Sequence, residues 1–267
     1  MTIGLDLSSS TAKVDRAFVH LKTLHTELLV HIKKNSPYSI QFSEVNPQTG
    51  WCEVYLVPNP RKPDLGVLIG DVMHNLRGAL DYIITSLADA SGANPDVKRG
   101  WPSYIKRAAY KGEVADRFGA KASGPLSGIT IGLGVIEQLQ PYRCQPDPRA
   151  DPLALIQRFN NADKHRHVAA LVSIPVGTLD IEFNGIPAEV RDIEEISNWS
   201  PDQKMIIRQI RFDPPRAYNF RVASPLHLDL RITLPKFRTE PEVALDLPLL
   251  EECCSQVRAV IDVFKLI

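Results

Sequence analysis

Two polar constellations interrupt what are otherwise ordinary apolar helical patterns. The first reads Asp71-Val-Met-His74-Asn75-Leu-Arg77-Gly78-Ala-Leu-Asp81, and the second Arg158-Phe-Asn160-Asn161-Ala-Asp163-Lys164-His165-Arg166-His167. At about 100° per residue, Asp71, His74, Arg77, Gly78 and Asp81 share one arc of their helix. A carboxylate, an imidazole, a guanidinium and a second carboxylate thus share one face, a candidate polar site between helices. The same types at i,i+3 and i,i+4 spacing also make a stripe of ion pairs, or a network that ties one helix to another. Gly78 in mid-helix costs about 1 kcal/mol against alanine. Close approach of another backbone or of a ligand would account for it.

In the second constellation Leu153, Ile156, Asn160, Asp163 and His167 fall on one face, so polar groups replace an apolar stripe after Ile156. Buried Asn160 and Asp163 need partners, and Arg77 and His74 are natural ones. The two helices are therefore expected to pack with these faces together. The expected site is their seam, with Asp71, Arg77, Asp81, Asn160 and Asp163 as binding residues and Arg158, His165 and His74 as catalytic ones. Arg158, Asn161 and His165 occupy the other face, with Arg158 and His165 nearly stacked over two turns. A histidine titrating near neutral pH can take the proton of an RNA 2′-hydroxyl, while an arginine stabilises charge growing on phosphate.

That spacing, Arg158-x6-His165, resembles the R-x(4–6)-H signature of the HEPN nucleases, whose members are helical bundles. The resemblance implies metal-independent RNA cleavage, with Arg158 in the arginine position, His165 in the histidine position and a site that depends on a homodimer. A second resemblance rests on motifs in order: Gly70-Asp71…His74-Asn75-Leu76-Arg77-x-Ala79-Leu80-Asp81, Trp101-Pro102, Gln140-Pro141-Tyr142 and Asn160-x-x-Asp163-Lys164-His165-Arg166. Over roughly residues 64–167 this is similar to a set of bacterial and phage proteins with the same motif order, and it implies no activity. Asp71 with His74, and Asp163 with His167, also resemble the carboxylate-and-histidine ligand pairs of metal-binding helical bundles. No inward-facing Glu on the other long helices completes such a set, so the sequence assigns no metal ligand and no cofactor. Phosphate-cradling glycine loops, nucleophile elbows and H-E-x-x-H are absent from the chain.

The composition constrains the partners. The 31 basic residues balance the 31 acidic ones, so any RNA must be met by a local patch rather than by a global field. Residues 98–121 carry seven Lys or Arg against Glu113 and Asp116, whereas 178–202 carries seven acids against Arg191. Both patches also read as solvated faces. Cys52, Cys144, Cys253 and Cys254 form no C-x-x-C pair, which predicts reduced, buried thiols. The sequence shows neither a signal-peptide pattern nor about 18 uninterrupted apolar residues, so a cytoplasmic protein with no membrane partner is expected.

Positioning these residues falls to an α+β fold within a single domain of 267 residues, 44% of them hydrophobic. Four long helices are expected near 11–34, 64–90, 152–165 and 247–265, forming a helical bundle. Their apolar stripes include Val14, Ala17, Phe18, Leu21, Leu24, Leu28 and Ile32 in the first helix. Ile69, Val72, Met73, Leu76, Leu80, Ile83 and Leu87 form that of the second, and Leu250, Cys254, Val257, Ile261 and Phe264 that of the last. Ser8, Ser9 and Ser10 are N-cap candidates, and Asp151-Pro152 reads as a cap followed by an N1 proline. A hairpin over 38–57 turns through Asn46–Gly50. The runs 168–176, 179–183, 205–212, 218–222 and 226–234 alternate, predicting an antiparallel sheet inserted at about 168–240 with one wet face. Between the second and third helices the chain is Gly- and Pro-punctuated, with a short helix near 108–118 and Trp101 as a core anchor.

Overall fold

The computed structural model describes residues 4–34, 38–59, 65–116, 119–120, 124–165, 171–176, 180–182, 188–192, 204–215, 221–224, 227–234 and 243–267. The fold is α+β, and the chain divides into two compact units: Met1–Thr26, Leu65–Ala169 and Leu247–Ile267 form the first, and Glu27–Asp64 with Ala170–Asp246 the second.

In the first unit, the periodic stripes become the core. Helix α1 runs Ser8–Lys34, continuing past the unit's boundary, and α2 runs Gly66–Ala90. All seven apolar residues read from the α2 pattern are at most 1% exposed. Burial of each such side chain stabilises the fold by about 1.5–3 kcal/mol. Gly92 ends α2 at φ +63°, with the Ala93 amide donating to Ala88 O and the Gly92 amide to Asp89 O. That is the paired closure in which a left-handed glycine satisfies the last carbonyls. After α3 (Arg107–Glu113), the two-residue strands β3 (Ala115–Asp116) and β4 (Gly119–Ala120), α4 (Leu133–Gln138) and a 3₁₀ turn (Pro141–Arg143), helix α5 runs Pro152–His165. Asp151 Oδ1 accepts from the Leu153 amide at 2.8 Å, so the aspartate caps α5 ahead of its N1 proline.

The last helix, α6 (Leu247–Phe264), packs on α2 and α5, and α2 packs on α5. Its stripe from Leu250 to Phe264 is buried throughout. Phe18, placed on the α1 stripe by its spacing, is instead 37% exposed, with the Arg258 guanidinium 5.8 Å from its ring centroid. Arg258 also bonds Asp15. The α1 start differs in detail too: Asp6 Oδ1, not a serine side chain, accepts from the Ser8 amide at 3.0 Å. Cys52, Cys253 and Cys254 are buried and Cys144 half-buried, all four as free thiols. Burial pushes the Cys254 thiol up to about 12.

In the second unit, β1 (Tyr38–Phe42) and β2 (Trp51–Pro58) form the expected hairpin. Its place was not legible in the sequence: β2 also pairs antiparallel with β8 (Met205–Phe212), and β8 with β7 (Ala188–Asp192), giving the order β1-β2-β8-β7. A separate three-stranded sheet joins β5 (Leu171–Val176), β10 (His227–Leu234) and β11 (Val243–Leu245), and β6 (Asp180–Glu182) pairs with β9 (Arg221–Ser224). The single inserted sheet expected at 168–240 is thus several antiparallel assemblies, the largest of which recruits the hairpin. The expected Leu226–Leu234 face lies outside the described side chains.

In β8 the buried residues are Met205 and Ile207, then Ile210 and Phe212. This change of phase coincides with a register shift opposite Val54/Tyr55. An extra residue in one strand is what lets a period-two pattern change step without turning its apolar side to water.

Candidate functional site

Arg77 and Asp81, one turn apart on α2, form a forked pair: Nε reaches Asp81 Oδ2 at 3.2 Å and Nη2 reaches Oδ1 at 2.9 Å. The same two groups grip one residue of the loop that follows α2. Arg77 Nη2 donates to Trp101 O at 2.8 Å, and the Trp101 amide donates to Asp81 Oδ1 at 2.8 Å. Gly100 permits this approach, since a Cβ there would stand 3.1 Å from Asp81 Oδ1 and 3.2 Å from Arg77 Nη2. Trp101 is thereby pressed into the core, 2% exposed and edge-on to Phe264 with centroids 6.1 Å apart. Arg77 Nη1 bonds Gln157 Oε1 of α5, and Gln157 Nε2 donates to Asn161 Oδ1 at 3.1 Å. The α2–α5 seam is real, and its polar content is a clamp on a backbone segment. Among the described side chains of α5, Arg77 meets Gln157 rather than Asn160; Asp163 lies outside them.

The other end of the α2 stripe faces α1. Asp71 Oδ2 lies 3.9 Å from His20 Nδ1, and Arg16 Nε donates to His20 Nε2 at 3.1 Å. His74 is exposed. Asn75, buried, donates to Asp71 O at 2.8 Å within its own helix. The stripe thus splits between two neighbours, and Asp71 and His74 do not belong to the Arg77–Gln157 cluster. Above Gly78 lies the Lys13 side chain, whose Cε would stand 3.6 Å from an added Cβ. That is ordinary contact, so no close approach demands this glycine. Gly78→Ala is expected to raise the unfolding free energy by about 0.5–1 kcal/mol, read as a higher urea midpoint. An unchanged or lower midpoint would show that the glycine serves a demand of its own.

On α5, Leu153, Leu155, Ile156, Phe159 and Asn160 are buried, while Gln157 and Arg158 are half-buried and Asn161 is exposed. Helical register places position 165 on the arc of Arg158 and Asn161, and the helix is continuous from Pro152 to His165. The Asp163 and His165 side chains lie outside the described part of the chain, as does His167. Asn160 is 3% exposed, so the polar residue read from the α5 stripe does enter the core.

A second buried polar centre holds the excursion between α2 and α5. Gln140 is 1% exposed. Its Nε2 donates to Pro102 O at 2.9 Å and Ile136 O at 3.1 Å, and its Oε1 accepts from the Tyr104 amide at 3.2 Å. Gln140→Ala would orphan three backbone groups and leave a cavity. An unfolding free energy lower by about 2 kcal/mol is expected, measured by urea titration; a wild-type midpoint would mean that water replaces the amide.

Beside it, Glu137 takes Lys111 Nζ at 2.9 Å and the Tyr142 hydroxyl at 3.2 Å. Chiefly the Lys111 bond holds the Glu137 carboxyl below its usual range. A depressed carboxylate contributes stability that is present above the unfolded value, near 4.3, and is lost as pH falls through the folded one. Tyr104, by burial first and then by its 3.0 Å bond to Glu113, is pushed up to about 12. Its contribution is complete below about pH 10 and is lost as pH rises toward 12. Stability measured against pH is therefore expected to fall on both limbs, with Glu137→Gln flattening the acid one and Tyr104→Phe the alkaline one.

Sequence reasoning singled out Arg77, Asp81 and the Gln140-Pro141-Tyr142 motif but missed Gln157, Gly100 and the tyrosine–glutamate cluster. Their signal is weak because their partners are mostly main-chain groups, which every residue carries. Among the described residues no group of three or more His, Cys, Asp or Glu is placed to hold a metal ion, and no helix is long and apolar enough to cross a membrane. Comparison with family models, curated proteins and solved structures gives no match to this chain.

Proposed function

We propose that the chain is a HEPN-like protein that binds RNA and cleaves it without metal, with Arg158 and His165 of α5 as its reacting pair. The observation that carries this reading is the unbroken α5, which sets positions 158 and 165 two turns apart on the arc away from the buried face. In this reading the four longest helices form the bundle, and two copies pair to complete the site. His165 takes the proton of the 2′-hydroxyl as that oxygen attacks phosphorus. Arg158 stabilises the charge that develops on the phosphate oxygens, and the 5′-oxygen leaves as a hydroxyl by taking a proton from solvent water, the imidazolium then returning its proton to solvent. The products are a 2′,3′-cyclic phosphate and a 5′-hydroxyl end.

The experiment is incubation of the purified full chain with single-stranded RNA in EDTA, followed by analysis of the fragment ends. Cyclic phosphate ends without metal are expected. Intact RNA, or cleavage only when a divalent metal is added, would overturn the reading. The Arg77–Asp81–Trp101 clamp favours a second reading, in which the polar helix residues are architectural and the protein is a non-catalytic interaction scaffold. Intact RNA together with a partner recovered by the folded chain is its expected signature.

A further inference from the structure

The register of the β1-β2-β8-β7 sheet gathers a set of side chains that the α5 reading does not use. Trp51 pairs with Arg211 and Arg211 with Glu189; two residues along, Glu53 pairs with Gln209 and Gln209 with Arg191. Tyr55 follows on the same side of β2, about 13 Å from Trp51 along the strand. The opposite side is apolar, with Cys52, Val54 and Leu56 all at most 1% exposed. One face of this sheet is therefore core, and the other presents two half-buried aromatic rings flanked by exposed cations. The Arg191 guanidinium stands 4.7 Å from the Trp51 ring centroid, and Lys204 Nζ stands 3.5 Å from that of Tyr55.

We infer that this face binds single-stranded nucleic acid, with bases on Trp51 and Tyr55 and phosphates on Arg191, Arg211 and Lys204. Aromatic rings on a sheet accept any base by its π-face, and nearby cations neutralise the backbone. The cations now lying on the rings occupy the places that bases take, and on displacement they remain within reach of the phosphates. Lys204 and Arg191 thus change partner rather than lose one. Glu189 bonds Arg191 at 2.6 Å and lies 3.7 Å from Arg211, so it competes with phosphate for both arginines. Glu53 accepts from the Tyr55 hydroxyl and from Gln209, at 3.3 Å from the latter, so the face sets Arg191, Arg211 and Lys204 against the carboxylates of Glu53 and Glu189. A duplex buries its base faces and does not fit such a platform.

The test is fluorescence anisotropy with the full chain and labelled oligouridine or oligothymidine of about 12 nucleotides, a length within the range of sheet-based binders. Both strands are expected to bind, about 20-fold more weakly at 200 mM than at 50 mM salt if three phosphates are neutralised. Trp51→Ala or Tyr55→Ala should each weaken binding about tenfold. Lys204→Glu should weaken it as well, and Glu189→Gln should tighten it by releasing two arginines. Should the aromatic variants fail to fold, the exposed Lys204 and Glu189 variants decide alone. His165→Ala should bind as the unaltered chain does, so loss of RNA cleavage and loss of this surface are separate results. Absence of binding to either strand, equal affinity for a duplex of the same length, or affinity unmoved by Lys204→Glu and Glu189→Gln would overturn the inference.

Discussion

Arg77→Ala is expected to lower the unfolding free energy by about 3 kcal/mol. In a two-state melt of a unit this size that is a loss of about 10 °C. The magnitude follows from what is left behind. Arg77 is 15% exposed at its side chain and serves three acceptors on different segments: the Asp81 carboxylate, the Trp101 carbonyl and Gln157 of α5. Its loss strands the carbonyl of a buried tryptophan and Gln157 Oε1, and leaves Asp81, 40% exposed at its side chain, with the Trp101 amide. An exposed pair on one helix face would cost only a few tenths of a kcal/mol, so the measured value separates a clamp from a solvated stripe. Arg77→Lys should recover little, because an ammonium cannot fork to the carboxylate while also reaching the loop carbonyl. A midpoint within about 0.5 kcal/mol of the unaltered protein would show that water substitutes for the guanidinium.

The second large effect concerns rate. In the α5 reading, His165→Ala should slow RNA cleavage by about 10²–10⁴-fold, the usual worth of a positioned acid–base group. Arg158→Ala should slow it by about 10²–10³-fold through lost charge stabilisation at phosphate. Because an imidazole accepts a proton only in its neutral form, the rate should rise with pH across the neutral range if His165 is the base. A flat profile, or fragments in undiminished yield from His165→Ala, assigns the cleavage to another group. Melting of His165→Ala should stay near that of the unaltered chain, so a lost rate is not mistaken for a lost fold.

The helices of the first unit were legible because their signal is local. Seven apolar residues on one arc of α2 state which face is buried whatever covers it, and all seven are buried. Asp151-Pro152 likewise caps α5 by rules that need only three residues. Phe18 fits the same arithmetic on α1 yet stands 37% exposed, since periodicity gives an arc and not the width of the neighbour that covers it. The sheet was harder to read. Strand β7 is Ala-Glu-Val-Arg-Asp, an edge strand whose one apolar residue past the first, Val190, is 40% exposed, so its charges resemble a solvated loop. Pairing of β2 with β8 joins residues from Leu56 and Met205 to Trp51 and Arg211, about 150 positions or more apart, and nothing in either segment names the other. The clamp shows the same limit. Arg77 and Asp81 announce themselves by type and spacing, but the groups they hold are the amide and carbonyl of Trp101, invisible in any motif. Gly100 is the sole local trace, and one glycine in a Gly-punctuated stretch says little.

In the α5 reading labour is divided: the Arg77–Asp81 pair of α2 holds the fold, and the proposed reacting pair stands on α5. Single-turnover cleavage of one RNA in EDTA tests it most directly, comparing Arg77→Lys with His165→Gln well below the melting temperature of each. Arg77→Lys is expected to melt earlier yet cleave at the unaltered rate per folded molecule, while His165→Gln should melt normally and cleave at least about 100-fold more slowly. A rate that collapses in Arg77→Lys and persists in His165→Gln would contradict it, and would move the reacting groups to the seam with α2.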